Sequence, residues 1–190
     1  MSSYLNSSLK RALDLVFSIL VMPIALPCVA LASLLVFISD RGNVLFVQER
    51  IGKNGLPFNM IKIRTLKKHF IGENGKQHVE EDILWIGRWL RKLRIDELPQ
   101  IWNILKDEMS WVGPRPEIPF YFDHFKKMDP MFTQRQVCKP GITGLAQLEN
   151  PDATPEHSLE KLPHDLNYVE KASLWMDIKI LFQSFFSVWK

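Results

Sequence analysis

The chemistry in this chain gathers around Asp96-Glu97, an acidic pair preceded by Arg91 and Arg94 and followed, past one helical stretch, by Gly113-Pro114-Arg115-Pro116. Asp96 falls where a helix N-cap belongs, and Pro99 sits in the first turn, where its missing N–H costs least. Both acids therefore begin a helix with Leu98, Ile101, Trp102 and Leu105 along its apolar side. Capping and dipole compensation would account for the pair on their own, but the cations around it ask for more. Guanidinium groups grip phosphate oxygens in fork geometry, a helix N-terminus adds positive partial charge, and Pro114 and Pro116 hold Arg115 in stiff extended backbone. Carboxylates among several cations call for an anionic ligand, together with a divalent cation shared between the two. Glycoside hydrolysis by this pair fails on geometry, because the carboxyl groups must flank a bond at roughly 5 Å or more, which sequence neighbours at a helix start rarely do.

Several elements must position these groups. Val44 to Val47 and Phe58 to Thr65 read as a hairpin across a long loop containing Gly52, Asn54 and Gly55. Period-two alternation puts Lys62 and Arg64 on one strand face, which suits either an anionic ligand or plain solvation. His69 to Glu80 is a polar, glycine-containing loop. Ile83 to Leu93 has helical spacing, with Trp85, Ile86, Trp89 and Leu90 on one side and Arg88, Arg91 and Lys92 elsewhere. Pro119 to Phe132 mixes Phe120, Tyr121, Phe122, Phe125 and Phe132 with Lys126 and Lys127, which fits a bilayer interface or a core. Leu174 to Lys190 places Leu174, Trp175, Ile178, Leu181, Phe182, Phe185 and Trp189 on one helical face, suited to lying in a membrane plane or docking on the domain.

From Ala12 to Ser39 the chain is almost wholly apolar, interrupted by Asp14, Ser18, Ser33, Pro23 and Pro27. As a helix it would run roughly 40 Å, more than a ~30 Å hydrocarbon core requires. The apolar run continues past the small-x-small triplet Ala30-Leu31-Ala32, which argues against a cleaved leader. Lys10 and Arg11 precede the segment while Arg41, Arg50 and Lys53 follow it, so charge gives little orientation. Pro23 and Pro27 free the carbonyls of Ile19 and Pro23 and are expected to bend the helix. A kinked span and a re-entrant helix both remain open on these residues.

The 190 residues suit one domain plus this segment, divided at 1–40 and 41–190. A net charge of +3 with both signs spread along the chain lacks the dense basic stripe of a nucleic-acid partner. Cys28 and Cys138, far apart and in unlike surroundings, suggest neither a disulfide nor a structural zinc site.

Five ordered motifs carry a resemblance: Phe46-Val47-Gln48-Glu49-Arg50-Ile51-Gly52, Lys62-Ile63-Arg64-Thr65, Asp96-Glu97-Leu98-Pro99-Gln100, Gly113-Pro114-Arg115-Pro116 and Pro140-Gly141-Ile142-Thr143-Gly144. With Lys10-Arg11 and Asp14 at one end and Asp177-Ile178-Lys179-Ile180-Leu181 at the other, the chain resembles the bacterial sugar transferases called monotopic phosphoglycosyl transferases over nearly its whole length. The resemblance implies an α+β, mainly helical fold: a re-entrant membrane helix, then a small cytoplasmic catalytic domain with a short hairpin and amphipathic interface helices. In the family a Ser-Pro pair breaks that helix. Pro27 falls there, with Leu26 in place of the serine and Pro23 one turn earlier. Leu145 replaces the usual tryptophan after Gly144, and Asn150 to His164 departs from the family pattern.

The resemblance also implies a two-step reaction at the cytoplasmic face of a bacterial inner membrane. The position matching Asp96 attacks the β-phosphate of a UDP-sugar, releases UMP and holds the phosphosugar until a polyprenol phosphate takes it. The position matching Glu97 deprotonates or orients that acceptor, Mg²⁺ sits beside the aspartate, and Lys62, Arg91 and Arg115 surround the diphosphate. A catalytically silent membrane adaptor that recruits other glycan-assembly enzymes is the competing expectation, since fold alone does not secure function. Pairing of the chain with itself stays open.

Overall fold

The computed structural model describes residues 2–67, 83–150 and 158–187. The loop expected over His69 to Glu80, residues 151–157 of the divergent stretch from Asn150 and the terminal Trp189 lie outside the described residues. Helix α1 runs Ser8–Ser39, and Ser7 caps it by accepting from the Lys10 N–H at 3.1 Å. Helical backbone continues through Pro23 and Pro27; each proline removes one N–H, and the neighbouring bonds keep the helix going, so the bend expected there is not a break in the chain's helical run. Among the described residues this is the one helix long and apolar enough to cross a membrane, and Val16, Ile19, Leu20, Ile24, Leu31, Leu34 and Ile38 are exposed along it.

Both ends of α1 are fastened to the same globular body. Near its start, the Lys10 ammonium meets Asp177 at 2.7 Å, and Asp14 accepts from the Ser110 hydroxyl at 2.9 Å and from the Trp111 N–H at 3.1 Å. The Trp111 indole donates to the Ser18 hydroxyl at 2.9 Å. Near its end, Ala32 and Val36 pack with Ile63, Leu84, Ile86 and Leu90. Polar side chains this deep persist only when each has a partner, which is how Lys10, Asp14 and Ser18 can be buried on an apolar helix.

Strands β1 (Leu45–Ile51) and β2 (Pro57–Ile63) form the antiparallel hairpin, with Phe46 opposite Lys62, Gln48 opposite Met60 and Arg50 opposite Phe58. β1 extends further than its apolar run suggests because Gln48 and Arg50 turn inward beside Met60 and Phe58. Helix α2 (Trp85–Lys92) buries Ile86, Gly87 and Leu90 but exposes Trp85 and Trp89. Its tryptophans thus leave the side that was expected to be shared with Ile86 and Leu90. A Cβ on Gly87 would collide with the Thr65 carbonyl oxygen, so the missing side chain lets α2 lie directly on the end of the hairpin.

A 3-10 turn over Ile95–Gln100 leads into the short α3 (Ile101–Leu105). β3 (Ser110–Val112) pairs in parallel with β4 (Gly141–Thr143), an arrangement that neither segment's short length announces. Between them, α4 (Pro119–Met128) and the turn over Pro130–Val137 bury Phe122, Phe125 and Phe132 with Leu162, so most of this aromatic stretch is core while Phe120 is exposed. α5 (Leu145–Glu149), α6 (Ser158–Lys171) and α7 (Leu174–Ser187) complete the fold. α7 leaves Trp175, Ile178, Phe182 and Phe185 exposed. The main core joins Ile104, Met109, Val112, Tyr168 and Ile180 beneath β3. The whole is α+β and mainly helical, as expected.

Candidate active site

The site forms where the hairpin, α2, the Ile95–Gln100 turn and the segment after β3 converge. Arg94 adopts a left-handed backbone conformation (φ 54°), which reverses the chain sharply between α2 and the acidic pair. Asp96 and Glu97 lie inside the turn that follows, so Asp96 is not a side-chain N-cap as its position suggests. The N-terminal residue of the turn is Arg94, which makes no side-chain cap. Both carboxylates are buried, each about 7% exposed.

Their surroundings differ. Arg115 Nη2 donates to Glu97 Oε1 at 2.8 Å, and Arg94 lies 3.9 Å from Oε2. No described residue hydrogen-bonds or ion-pairs with the Asp96 carboxylate. Burial and the neighbouring Glu97 charge push the Asp96 carboxyl up to about 6, against the pull of Lys62, Arg91 and Arg115. Burial pushes Glu97 up too, but Arg115, Lys62 and Arg94 outweigh it and hold that carboxyl below its ordinary value. One acid is therefore a constrained anion, and its neighbour is unengaged and titrates closer to neutrality.

Lys62 projects from the inner face of β2, half-buried, and burial together with the Arg115 and Arg50 charges brings its ammonium down to about 8. Arg91 donates from Nε to the Thr65 hydroxyl at 2.8 Å, within the field of Asp96. Pro114 and Pro116 are buried on either side of the half-buried Arg115. The structure thus brings Lys62, Arg91, Arg115, Asp96 and Glu97 together.

Arg64 does not join them. It is 2% exposed, lies just beyond β2, and spends its guanidinium on the carboxylate and the backbone carbonyl of Asp40, the residue that caps the end of α1. Strand alternation with Lys62 ends where β2 ends, so the phosphate-binding expectation for Arg64 is corrected to a structural one. Arg50, conversely, enters the sequence reading as a basic residue flanking the membrane segment and as part of the Phe46–Gly52 motif, without a place in the site. It shares the inner hairpin face with Lys62, and burial and Arg115 bring its guanidinium down to about 10. The period-two pattern of β1, continued through Gln48, would have placed it there.

No third His, Cys, Asp or Glu among the described residues joins the acidic pair into a metal-binding group. What the site offers a divalent cation is the unengaged Asp96 carboxylate and the Oε2 of Glu97, buried without a hydrogen-bond donor. That fits magnesium, which is usually held by one or two carboxylates plus substrate phosphates and water.

The sequence model of the family described as bacterial sugar transferase matches residues 5–190. The chain is 33% identical over 180 residues to a UDP-N-acetylgalactosamine-undecaprenyl-phosphate N-acetylgalactosaminephosphotransferase of Aeromonas hydrophila, covering 93% of this chain and 42% of that protein. It is 36% identical to a UDP-glucose:undecaprenyl-phosphate glucose-1-phosphate transferase of Caulobacter vibrioides, over 92% of this chain and 67% of that one. An exopolysaccharide production protein of Rhizobium leguminosarum is 35% identical, with 92% of each chain covered. The chain therefore spans less than half of the Aeromonas relative and nearly all of the Rhizobium one. A family match across almost every residue means that the chain belongs to the bacterial sugar transferase family.

Proposed function

We propose that this chain transfers a sugar 1-phosphate from a UDP-sugar to a polyprenol phosphate, such as undecaprenyl phosphate, at a membrane surface. The observation that carries the reading is the asymmetry of the acidic pair: Asp96 is unengaged among the described residues beside Lys62, Arg91 and Arg115, while Glu97 is held by Arg115. A carboxylate oxygen of Asp96 attacks the phosphorus that bears the sugar. The bond from that phosphorus to the bridging oxygen breaks, and UMP leaves with the electron pair. The phosphosugar remains on Asp96 as an acyl phosphate. An oxygen of the polyprenol phosphate then attacks the same phosphorus, the bond to Asp96 breaks, and the carboxylate is restored as the polyprenyl-diphosphate-sugar departs.

Attack by one anion on another requires that charge be neutralised where it develops, which is the task suited to Lys62, Arg91 and Arg115. A magnesium ion, which Asp96 would help to hold, would supply further neutralisation of the phosphate charge. Because Arg115 keeps Glu97 ionised below its ordinary range, orienting the acceptor suits that carboxylate better than abstracting a proton, for which a base near neutrality is more effective.

Fastening of both ends of α1 to one body supports the re-entrant reading over the span; we place the domain on the cytoplasmic face of an inner membrane. Exposed Trp85, Trp89, Trp175, Phe182 and Phe185 suit the headgroup region. In proteoliposomes, UMP release from a UDP-sugar that requires Mg²⁺, is abolished in Asp96→Asn, and leaves labelled phosphosugar on the wild-type protein before acceptor is added would support the reaction. Unaltered turnover in that variant would defeat it.

A further inference from the structure

The segment that carries Arg115 cannot fasten itself. Pro114 and Pro116 have no N–H, so residues 114–117 are held through their carbonyl oxygens, and each of the four accepts from a donor elsewhere in the chain. The Gly141 N–H donates to Pro114 O at 2.9 Å and the Ile51 N–H to Glu117 O at 2.8 Å. Arg50 Nη1 donates to Pro116 O at 3.0 Å, and Arg135 Nη2 donates to Arg115 O at 3.0 Å.

Arg135 is deeply set, 4% exposed. Its guanidinium also bonds Glu117 Oε1 at 2.9 Å and ion-pairs with Asp165 on α6 at 2.7 Å, and it lies over the Phe132 ring at 4.8 Å. The Ser158 hydroxyl, at the start of α6, donates to the same Glu117 oxygen at 2.8 Å. Glu117 and Asp165 also feel the charge of Lys161, and burial pushes the Asp165 carboxyl above its ordinary value against the pull of Arg135. The cluster ties the proline segment to α6, with Arg135 Nε and Asp165 Oδ2 left buried without a hydrogen-bond partner among the described residues.

The torsions on either side of Arg115 make its carbonyl the controlling atom. The Pro116 ring fixes the rotation that follows the 115–116 peptide, and that peptide is planar. The direction of the Arg115 carbonyl therefore reports the one torsion left between the Arg115 Cα and the ring. A donor on that oxygen sets where the Arg115 side chain starts from.

We propose that Arg135 is a positioning residue: by holding the Arg115 carbonyl against the Glu117 and Asp165 anions, it aims the Arg115 guanidinium at Glu97. The role of this aim in turnover rests on the transfer reaction proposed above. Lysine at 135 keeps the charge but has no fork of N–H groups to reach Glu117, Asp165 and the carbonyl together.

The test is a cycle of full-length chains in proteoliposomes: wild type, Arg135→Lys, Arg115→Ala and the double variant, with UMP release as the readout. Misplacing a binding group by about 1 Å can cost on the order of 100-fold, so Arg135→Lys is expected to lower kcat/KM by roughly 10- to 100-fold. In the Arg115→Ala background the same change is expected to add less than about twofold, because the group it positions is gone. Losses that multiply, or an Arg135→Lys chain as active as wild type, would overturn the proposal. Amide hydrogen exchange at Ile51 and Gly141, the two N–H groups that hold the same segment, requires no turnover and should rise about tenfold in Arg135→Lys, while that of Ile104 in α3 does not. Unchanged exchange at both also overturns it. Should the wild type release UMP from no UDP-sugar, the transfer reading fails by itself, and exchange still decides whether Arg135 anchors the segment.

Discussion

Arg115 holds Glu97 through a 2.8 Å hydrogen bond from Nη2 to Oε1, and no described residue does the same for Asp96 one position earlier. Two adjacent carboxylates in one turn are thereby given different proton affinities: one is committed to a partner, and the other is left with burial and a like charge beside it. Separating paired acids in this way is how a site assigns them different tasks.

The first expected outcome concerns pH. The first half-reaction, followed as UMP release before acceptor is added, should have kcat/KM falling about tenfold per pH unit below about 6 as Asp96 becomes protonated. Above about 8 it should fall again as Lys62 loses its proton. In Lys62→Arg the alkaline limb should move beyond the measurable range, since arginine stays charged. An alkaline limb unmoved in that variant would dissociate Lys62 from the donor.

Stability should report the same carboxylate with the opposite sign. A carboxyl raised in the folded state binds its proton more tightly there than in the unfolded chain, so its stabilising contribution is complete below the unfolded value near 3.8 and is lost as pH rises through about 6. Asp96→Asn, neutral throughout, should therefore melt higher than wild type at pH 8, by up to roughly 2–3 kcal/mol. The gap should close toward pH 4. Thermal melts at the two pH values measure it.

Arg64 and Arg115 should separate cleanly by assay. Arg64→Ala removes the buried partner of Asp40 at the end of α1 and should lower the melting temperature while leaving the donor KM within about twofold, since its guanidinium is engaged by Asp40 and not by the site. Arg115→Ala should reduce kcat/KM by 100-fold or more, as removal of a charge-stabilising donor typically does. Steady-state kinetics with matched melts would decide between the two roles.

Lys10 offers a third contrast. It sits between Asp14 and Asp177 with 7% exposure, and removing one partner of a buried ion pair costs about 3–5 kcal/mol because the other charges stay behind. Lys10→Met should destabilise the chain by that order in denaturant melts. A loss under about 1 kcal/mol would show the network to be solvated.

For topology, single cysteines at Ser3 and Ser39, introduced after Cys28 and Cys138 are replaced, should be labelled from the same side of sealed vesicles. Labelling from opposite sides would mean that α1 spans.

Much of this site was legible because it rests on local signals: an acidic pair beside Pro99, prolines bracketing Arg115, and alternation carrying Lys62 inward. Arg64 was misplaced because alternation says nothing about where a strand stops, and the Asp40 that captures it lies 24 residues earlier. The inward place of Arg50 was not legible because the apolar run stops at Val47, and Gln48, the inward residue before it, is polar. The parallel pairing of β3 with β4 and the Arg135 cluster join segments far apart in the chain, and no local period encodes such contacts. The even choice between core and interface for Phe120 to Phe132 resolved residue by residue, with Phe122, Phe125 and Phe132 inside and Phe120 outside.

Gly87 lets α2 settle against Thr65, and the reach of a longer side chain depends on that contact. The Leu84 N–H bonds the Thr65 carbonyl at 2.9 Å, and one helical turn past Gly87 Arg91 bonds the Thr65 hydroxyl at 2.8 Å, so two residues of α2 and the one that caps its start use a single threonine as their datum. Even a methyl group at position 87 would lift that helix like a shim under one end of a beam, and the guanidinium at its far end would swing away from Asp96. The smallest residue in the helix sets the working distance of its largest cation.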